Sequence, residues 1–398
     1  MPAALQTNKR LEHCIEVLAD LVAYRSVSAD GNRAITEDIA HRLGAAGARV
    51  WTEPDATGAK LNLFATIGPE RSGGVILSGH TDVVPVADQV WSSDPFSLRE
   101  ADGRLYGRGT CDMKGFIAAC LTMAPHFATL PLKVPVHLAF TYDEEIGCFG
   151  AQALTASLVA RGIRPAAAII GEPSMMQPID GHKGCNEYTT WITGREGHGS
   201  APDLGVNAVH YAAAIVMELG RLRSALKARA PRDCPFDPPH STINPGMLAG
   251  GTVHNVIPGK ARLDWEMRPV QPSDVDFVKE ALDNFVQAEL LPEMRAVHAD
   301  AEIRTEVVAE VAGLIPTREN AARDLVMALT GANSAGLVPF GTEAGLFQSI
   351  GIPSVICGPG AIAQAHRADE FLARDQLAEC LAMLEGLGAR LAASKVTS

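Results

Sequence analysis

The sequence predicts an α/β protein: an open mixed sheet with helices on both faces, plus an inserted ferredoxin-like α+β domain. Three observations carry this. Strand-length apolar runs alternate with amphipathic helical segments up to about residue 183, the signature of an open α/β sheet. From about 184 to 313 the rhythm becomes β-α-β-β-α-β, the ferredoxin-like order, which makes a compact unit by itself. After Pro316 the first rhythm returns. A chain of 398 residues exceeds what one core usually encloses, so two domains are expected: 1–183 with 314–398, and 184–313 inserted between them.

Leu11, Ile15, Leu18, Leu21 and Val22 lie at helical spacing within Leu11 to Tyr24. A second helix is expected from Arg33 to Ala46, stopped at Gly47. Ala48–Thr52 and Leu61–Ile67 read as strands. Gly74 to Leu77 reads as a short buried strand running into Ser78-Gly-His80-Thr-Asp82. Asp88 to Tyr106 reads as a polar loop that leads to Asp112, and a helix follows from Gly115 to Phe127. Leu132–Tyr142 is strand-like and delivers Asp143-Glu144-Glu145. A helix covers Gly150–Ala160, and the strand Ala166–Ile170 delivers Gly171-Glu172-Pro173.

In the insert, strands are expected at Glu187–Thr193, Ser241–Ala249, Ala261–Arg268 and Asp300–Ala309. Helices are expected at Leu204–Leu226 and Ser273–Leu291, with a loop from Ala230 to His240. The last part reads as helix Arg318–Thr330, helix Gly341–Ile350, strand Ser354–Cys357, a loop carrying His366, and helix Arg374–Ala393.

A formal charge of −12 disfavours nucleic acid as a partner. No apolar run is long enough to span a membrane. Met1 to Arg10 lacks an apolar signal core, so a cytoplasmic location is expected. The eight cysteines are scattered with no C-x-x-C pair and read as reduced thiols.

His80 and Asp82, two apart on extended backbone, share one side. That suits a metal-binding imidazole whose other nitrogen is held by a carboxylate. Ligands of open α/β sheets gather outside the carboxyl ends of the strands. His80, Glu144, Glu145 and Glu172 lie there, Asp112 opens the turn beside them, and His366 again follows a strand end. Two imidazoles and three carboxylates (His80, Asp112, Glu145, Glu172, His366) can hold two divalent ions with one carboxylate bridging. Mixed nitrogen and oxygen donors suit zinc first, with cobalt or manganese as alternatives. Glu144, next to a ligand, can take a proton from water. Singly, each residue has a plainer reading: a solvated turn for Glu144 and Glu145, a helix cap for Asp112, a strand exit for Glu172, a surface histidine for His366. Their recurrence at strand ends favours a site. Gly107-Arg-Gly109-Thr-Cys-Asp112 lacks the third glycine of a dinucleotide fingerprint, and no Walker A, G-x-S-x-G or H-E-x-x-H pattern occurs.

Gly79-His-Thr-Asp-Val-Val-Pro85, Gly107-Arg-Gly-Thr-Cys-Asp-Met-Lys-Gly115, Asp143-Glu-Glu145, Gly171-Glu-Pro173 and Ala365-His366 resemble the motifs of the two-zinc aminoacylase/carboxypeptidase metallohydrolase family, over nearly the whole chain. The resemblance implies His80 and Glu172 on one zinc, Glu145 and His366 on the other, and Asp112 bridging. It implies Glu144 as general base and Asp82 as the residue that orients His80. Gly197-His198-Gly-Ser-Ala-Pro202 resembles the segment whose histidine reaches the other subunit's active site and steadies the oxyanion, which implies a homodimer formed through the inserted lid domain. Without the family, His198 reads as a turn residue. Asn255 and Arg268 resemble positions that hold the substrate carboxylate, a task suited to a guanidinium fork. Arg268 reads equally well as a strand-end charge.

Gly341-Thr-Glu343-Ala-Gly345 is more similar to the family's acetylornithine deacetylases than to its desuccinylases. Glu343 is then a partner for a substrate ammonium, or else a helix N-terminal carboxylate favoured by the dipole. The implied reaction is hydrolysis of the amide of an N-acyl amino acid, foremost N2-acetyl-L-ornithine, in arginine biosynthesis. A broader aminoacylase, a dipeptidase or a desuccinylase would share the metal chemistry and differ in the pocket. A non-catalytic scaffold would have lost ligands that are all present here.

Overall fold

The computed structural model describes residues 3–393, with side chains from Asn8 onward; Met1 and Pro2 of the polar N-terminal stretch lie outside the described residues. The chain divides into two compact units: Met1–Gly181 with Pro316–Val338 and Thr342–Ser398, and His182–Ile315 with Pro339–Gly341.

The first unit begins with α1 (Ala3–Ala23), α2 (Arg33–Ala45), β1 (Arg49–Pro54), β2 (Leu61–Ile67) and β3 (Val75–His80). A hairpin, β4 (Arg99–Ala101) and β5 (Arg104–Tyr106), precedes the turn Thr110–Lys114 and α3 (Gly115–Thr129). Then come β6 (Val136–Thr141), α4 (Phe149–Ala160), β7 (Ala167–Pro173) and β8 (Ile179–Gly181). The second unit holds β9 (Cys185–Thr193), β10 (Gly197–His198), α5 (Ala208–Ala228), β11 (Thr242–Gly250), β12 (Val256–Ile257), β13 (Lys260–Arg268), α6 (Pro272–Phe285), α7 (Leu291–Val297) and β14 (Glu302–Val311). The first unit resumes with α8 (Ala321–Thr330), β15 (Gly336–Leu337), α9 (Ala344–Ser349), β16 (Ser354–Gly358), β17 (Phe371–Ala373) and α10 (Arg374–Ala393).

The fold class is the α/β one the sequence predicts. The main sheet runs β1-β2-β6-β3-β7-β16-β8-β15. Its centre is parallel, β6 to β3 to β7 to β16, and its flanking pairs β1/β2 and β2/β6 are antiparallel. β3, β6, β7 and β16 are buried throughout, as parallel strands covered on both faces must be. Alternation then sorts their side chains. Val75, Leu77, Val136, Leu138, Phe140, Ala167 and Ile169 enter the core with Phe116 and Ile117 of α3. Ile76, Ser78 and His80 therefore face the other way, as do Thr141 and Glu172. At Gly171 the β7 backbone passes so close to α3 that a Cβ would lie 2.0 Å from the Phe116 ring, so only glycine fits one residue before Glu172.

The second unit is an antiparallel sheet, β11-β13-β9-β14, with a separate ribbon β10-β12. Its own core joins Tyr188, Leu263 and Trp265 to Ile215 and Leu219 of α5 and Leu282 of α6.

Local expectations change in several places, and the first helix starts at Ala3, ahead of the expected Leu11. Part of the predicted loop 88–106 is the β4–β5 hairpin, which joins β17 in a three-stranded sheet. Its turn is Asp102-Gly103, both at positive φ (51° and 72°), the two-residue hairpin signal in a segment too short for periodicity to register. α5 begins at Ala208, not Leu204, because the Asn207 side chain accepts from the amides of Val209 and His210. Helical structure expected to end at Leu291 continues through α7 to Val297, with Pro292 in the first turn where its missing N–H is not needed. The helix expected at Gly341–Ile350 is only Ala344–Ser349.

Candidate metal centre

β3 ends on His80, β6 is followed by Asp143-Glu144-Glu145, β7 carries Glu172 near its end, and His366 follows β16. Asp112 sits in the turn before α3, extended (φ −123°, ψ 91°) where a helical residue would be expected, and its peptide to Met113 is cis. Gly109, at φ +81°, supplies the left-handed position that starts this turn.

Two donor groups share one carboxylate: His80, Asp112 and Glu172 form the first, and Asp112, Glu145 and His366 the second. His80 Nε2 lies 3.0 Å from Asp112 Oδ1 and 3.7 Å from Glu172 Oε1. His366 Nε2 lies 2.9 Å from Glu145 Oε2 and 3.4 Å from Asp112 Oδ2. Asp112 thus turns one oxygen to each imidazole. His80 and Glu172 are buried, whereas the His366 side chain is 54% exposed.

The donor set fits divalent cations on three counts. His80 Nδ1 donates to the Asp82 backbone carbonyl at 2.9 Å, which leaves Nε2 as the ring nitrogen turned to the carboxylate oxygens of Asp112 and Glu172. Buried Glu172 Oε1 has no hydrogen-bond donor, a costly state unless a cation meets it. The local charge is also one-sided. Burial, with neighbouring carboxylates adding to it, pushes Glu144 up to about 8 and Glu145 up to about 7. Burial, then Asp112, raises Glu172 well above its ordinary value. Burial opposes ionisation of Asp112 as well, but the two imidazoles prevail and hold it well below the usual carboxylate range. A surplus of buried negative charge around two imidazoles is what metal ions neutralise.

Asp82 sits differently from the sequence expectation. His80 Nδ1 meets the Asp82 carbonyl, with the carboxylate Oδ1 at 3.6 Å. The carboxylate accepts instead from Ser28 Oγ (2.7 Å) and from the backbone amides of Glu144 (3.2 Å) and Glu145 (3.4 Å). Asp82 therefore orients the histidine through its backbone and the acidic turn through its side chain. Glu144 belongs to neither donor group, and its Oε1 accepts from Cys148 Sγ at 3.5 Å.

Glu343 lies in the first unit, with the donor groups. Its side chain is fully buried beneath the strand ends, accepting from Ser78 Oγ (2.5 Å) and Thr141 Oγ1 (2.8 Å). Both of its carboxylate oxygens are thus engaged by hydroxyls of the chain itself. It does precede α9, but it makes no side-chain cap there.

His198, Asn255 and Arg268 belong to the second unit. His198 pairs with Val256 across the β10–β12 ribbon, and Gly199 donates to the Asn255 carbonyl at 2.8 Å, so His198 and Asn255 are neighbours. His198 is exposed, with Nδ1 2.7 Å from Ser200 Oγ. Arg268 directs Nε and Nη2 at Glu266 Oε2 (3.0 and 2.8 Å). Sequence reasoning missed Glu370, which accepts from the backbone amide of Asp112 at 3.0 Å. The signal was its place four residues after His366, inside the same loop.

The profile described as Peptidase family M20/M25/M40 matches residues 76–389. The chain belongs to that family. As a member of M20/M25/M40 it is a metal-dependent amidohydrolase. Among curated relatives, acetylornithine deacetylase of Proteus mirabilis is 35% identical over 92% of this chain and 93% of its own length. The protein of the same name from Myxococcus xanthus is 36% identical over 92% and 94%. Among solved structures, an M20 family metallo-carboxypeptidase from Sulfolobus solfataricus superposes with a TM-score of 0.74 at 18% identity, covering 95% of this chain and 99% of that one. A tripeptidase from Staphylococcus aureus reaches 0.72 at 19% identity, covering 96% and 99%. These two likenesses are of fold. Among the described residues, no helix is long and apolar enough to cross a membrane.

Proposed function

We propose that the chain hydrolyses the amide bond of an N-acyl amino acid, most specifically N2-acetyl-L-ornithine, to release acetate and the free amino acid. The observation that carries the chemistry is Asp112 shared between two donor groups, one completed by His80 and Glu172, the other by Glu145 and His366. These five residues would hold two divalent ions, zinc foremost. When bound, the ions supply Lewis-acid polarisation of the scissile carbonyl and of water.

The protein's own groups do the rest. Glu144 shares a turn with Glu145 but is left out of both donor groups, which supports it as the carboxylate that takes a proton from water and passes it to the leaving amine. Asp82 holds that turn through its amides and Ser28. His198 steadies the oxyanion, supplied by a second copy of the chain. A homodimer through the second unit is supported by exposed apolar side chains there, Leu204, Met217, Leu248 and Val253. Asn255 and Arg268 hold the substrate carboxylate, Arg268 exchanging Glu266 for it. The names of the curated relatives support acetylornithine as substrate, and a role in arginine biosynthesis belongs to the same reading. A cytoplasmic location suits eight cysteines with no disulfide among the described residues.

Hydrolysis of a panel by metal-reconstituted protein tests the substrate: acetylornithine, acetylcitrulline, acetylmethionine, succinyl-diaminopimelate and a dipeptide. A dominant kcat/KM for acetylornithine is expected. Preference for apolar acyl amino acids or dipeptides would discard that substrate while keeping the metal chemistry.

A further inference from the structure

The loop that carries His366 is held in place from outside itself. His366 and Asp369 both have positive φ (61° and 54°), a region that side-chain-bearing residues keep only where their surroundings hold them in it. Groups from other segments hold the loop here. Gln89 Nε2 donates to the His366 carbonyl at 2.8 Å, and the Ser92 amide donates to Asp369 Oδ1 at 2.9 Å. Gly107 donates to the Glu370 carbonyl at 3.0 Å.

The Glu370 side chain closes the arrangement. It is 1% exposed. Oε1 accepts from the amides of Cys111 (2.8 Å) and Asp112 (3.0 Å), and Oε2 from the amide of Gly109 (2.9 Å) and from Arg108 Nη1 (2.7 Å). Three amides of one turn, those of Gly109, Cys111 and Asp112, and a guanidinium thus cup one carboxylate, an anion nest satisfied from within the chain. Arg108, itself 1% exposed, continues to Gln89 Oε1 through Nη2 at 2.7 Å. Each end of the relay Glu370–Arg108–Gln89 touches a donor-bearing loop: Glu370 the amide of Asp112, Gln89 the carbonyl of His366.

We propose that Glu370, with Arg108 and Gln89, is a positioning device that fixes the spacing of Asp112 and His366 and so sets the cation affinity of the centre. This rests on the metal reading above. A carboxylate is required because all four donors point at it. In Glu370→Gln the amide nitrogen must face donors, so at least one bond is replaced by a donor–donor contact. Gln89→Ala removes the link to the His366 carbonyl together with the acceptor of Arg108 Nη2 and Trp91 Nε1, at a half-buried residue, and leaves Glu370 with its four donors.

The test is Co(II) titration of metal-free protein against a competing chelator, with the Co(II) absorption spectrum recorded at each step, alongside thermal unfolding. Glu370→Gln is expected to weaken binding by about 10–100-fold, the range for groups that orient metal ligands, and to shift the cobalt bands. Gln89→Ala is expected to weaken one of the two binding steps in a protein that stays folded, with only a small fall in Tm. If Glu370→Gln fails to fold, Gln89→Ala decides the question alone. Wild-type affinities and spectra in Gln89→Ala and in folded Glu370→Gln, with loss of binding in Asp112→Asn, would overturn the positioning role and leave the metal reading standing. Undiminished binding in Asp112→Asn would overturn both.

Discussion

The backbone amide of Glu144 donates to Oδ1 of Asp82 across 3.2 Å, so the residue after the β3 strand end holds the turn after the β6 strand end. Glu145 and Ser28 add to the same carboxylate. Asp82→Asn keeps one acceptor oxygen and turns a donor toward the turn. It is expected to lower kcat by about 10–100-fold with folding retained, read from steady-state kinetics and circular dichroism. Ser28→Ala removes one bond to a charged group and is expected to cost about 1.5–3 kcal/mol of stability with a smaller kinetic effect.

Glu343 lies in the floor of the site, hydrogen-bonded to Ser78 and Thr141 on two neighbouring parallel strands. Ser78→Ala strips a donor from a buried carboxylate and is expected to destabilise the protein by about 1–3 kcal/mol, measured by urea denaturation. Glu343→Gln is expected to change kcat/KM for acetylornithine and acetylmethionine by the same factor. A selective loss on acetylornithine would restore the ammonium contact.

Much of this was legible in the sequence because strand ends deliver chemistry locally. His80, Glu145, Glu172 and His366 each stand beside an apolar run, and reading the runs as strands of one sheet was enough to gather them. Glu370 was not legible in the same way. Its partners Arg108 and Gly109 lie 262 and 261 residues away in sequence, and no local pattern announces a buried pair. The surroundings of Glu343 were hidden for a related reason. A carboxylate opening a helix looks solvent-facing until the hydroxyls of Ser78 and Thr141 are seen to cover it. The β4–β5 hairpin was missed because three-residue strands carry no period, although Asp102-Gly103 was there to be read.

His137 offers a pH test away from the metal centre. It is 5% exposed, with Nδ1 accepting from Thr66 Oγ1 at 2.9 Å and Nε2 donating to the Gly73 carbonyl at 3.3 Å. Burial, helped by Arg49, pulls it down to about 4. The unfolded chain takes up this proton near pH 6.5 and the folded chain only near 4. Its contribution is therefore fully present above pH 6.5, falls as pH drops toward 4, and is flat below. The whole difference is roughly 3 kcal/mol. Metal-free His137→Gln is expected to lose less stability than metal-free wild type between pH 7 and 4.5, compared by urea midpoints. Equal losses would show that His137 protonates freely in the folded state.

His198 in the second unit is exposed, as a group offered to a second copy would be. His198→Ala and Glu144→Ala proteins, each nearly inactive, are expected to recover activity when mixed, because one site of the heterodimer is intact. The assay is turnover after subunit exchange verified by mass-tagged protomers. No recovery after full exchange would mean that His198 does not act across subunits.

The most direct measurement is of Glu144→Ala itself: metal content by elemental analysis and turnover of acetylornithine on the same sample. The expected result is two equivalents of metal per chain, as in wild type, with turnover reduced about 10²–10⁴-fold, the range of general acid–base catalysis. Two bound metals with normal turnover would contradict Glu144 as the proton-transfer group.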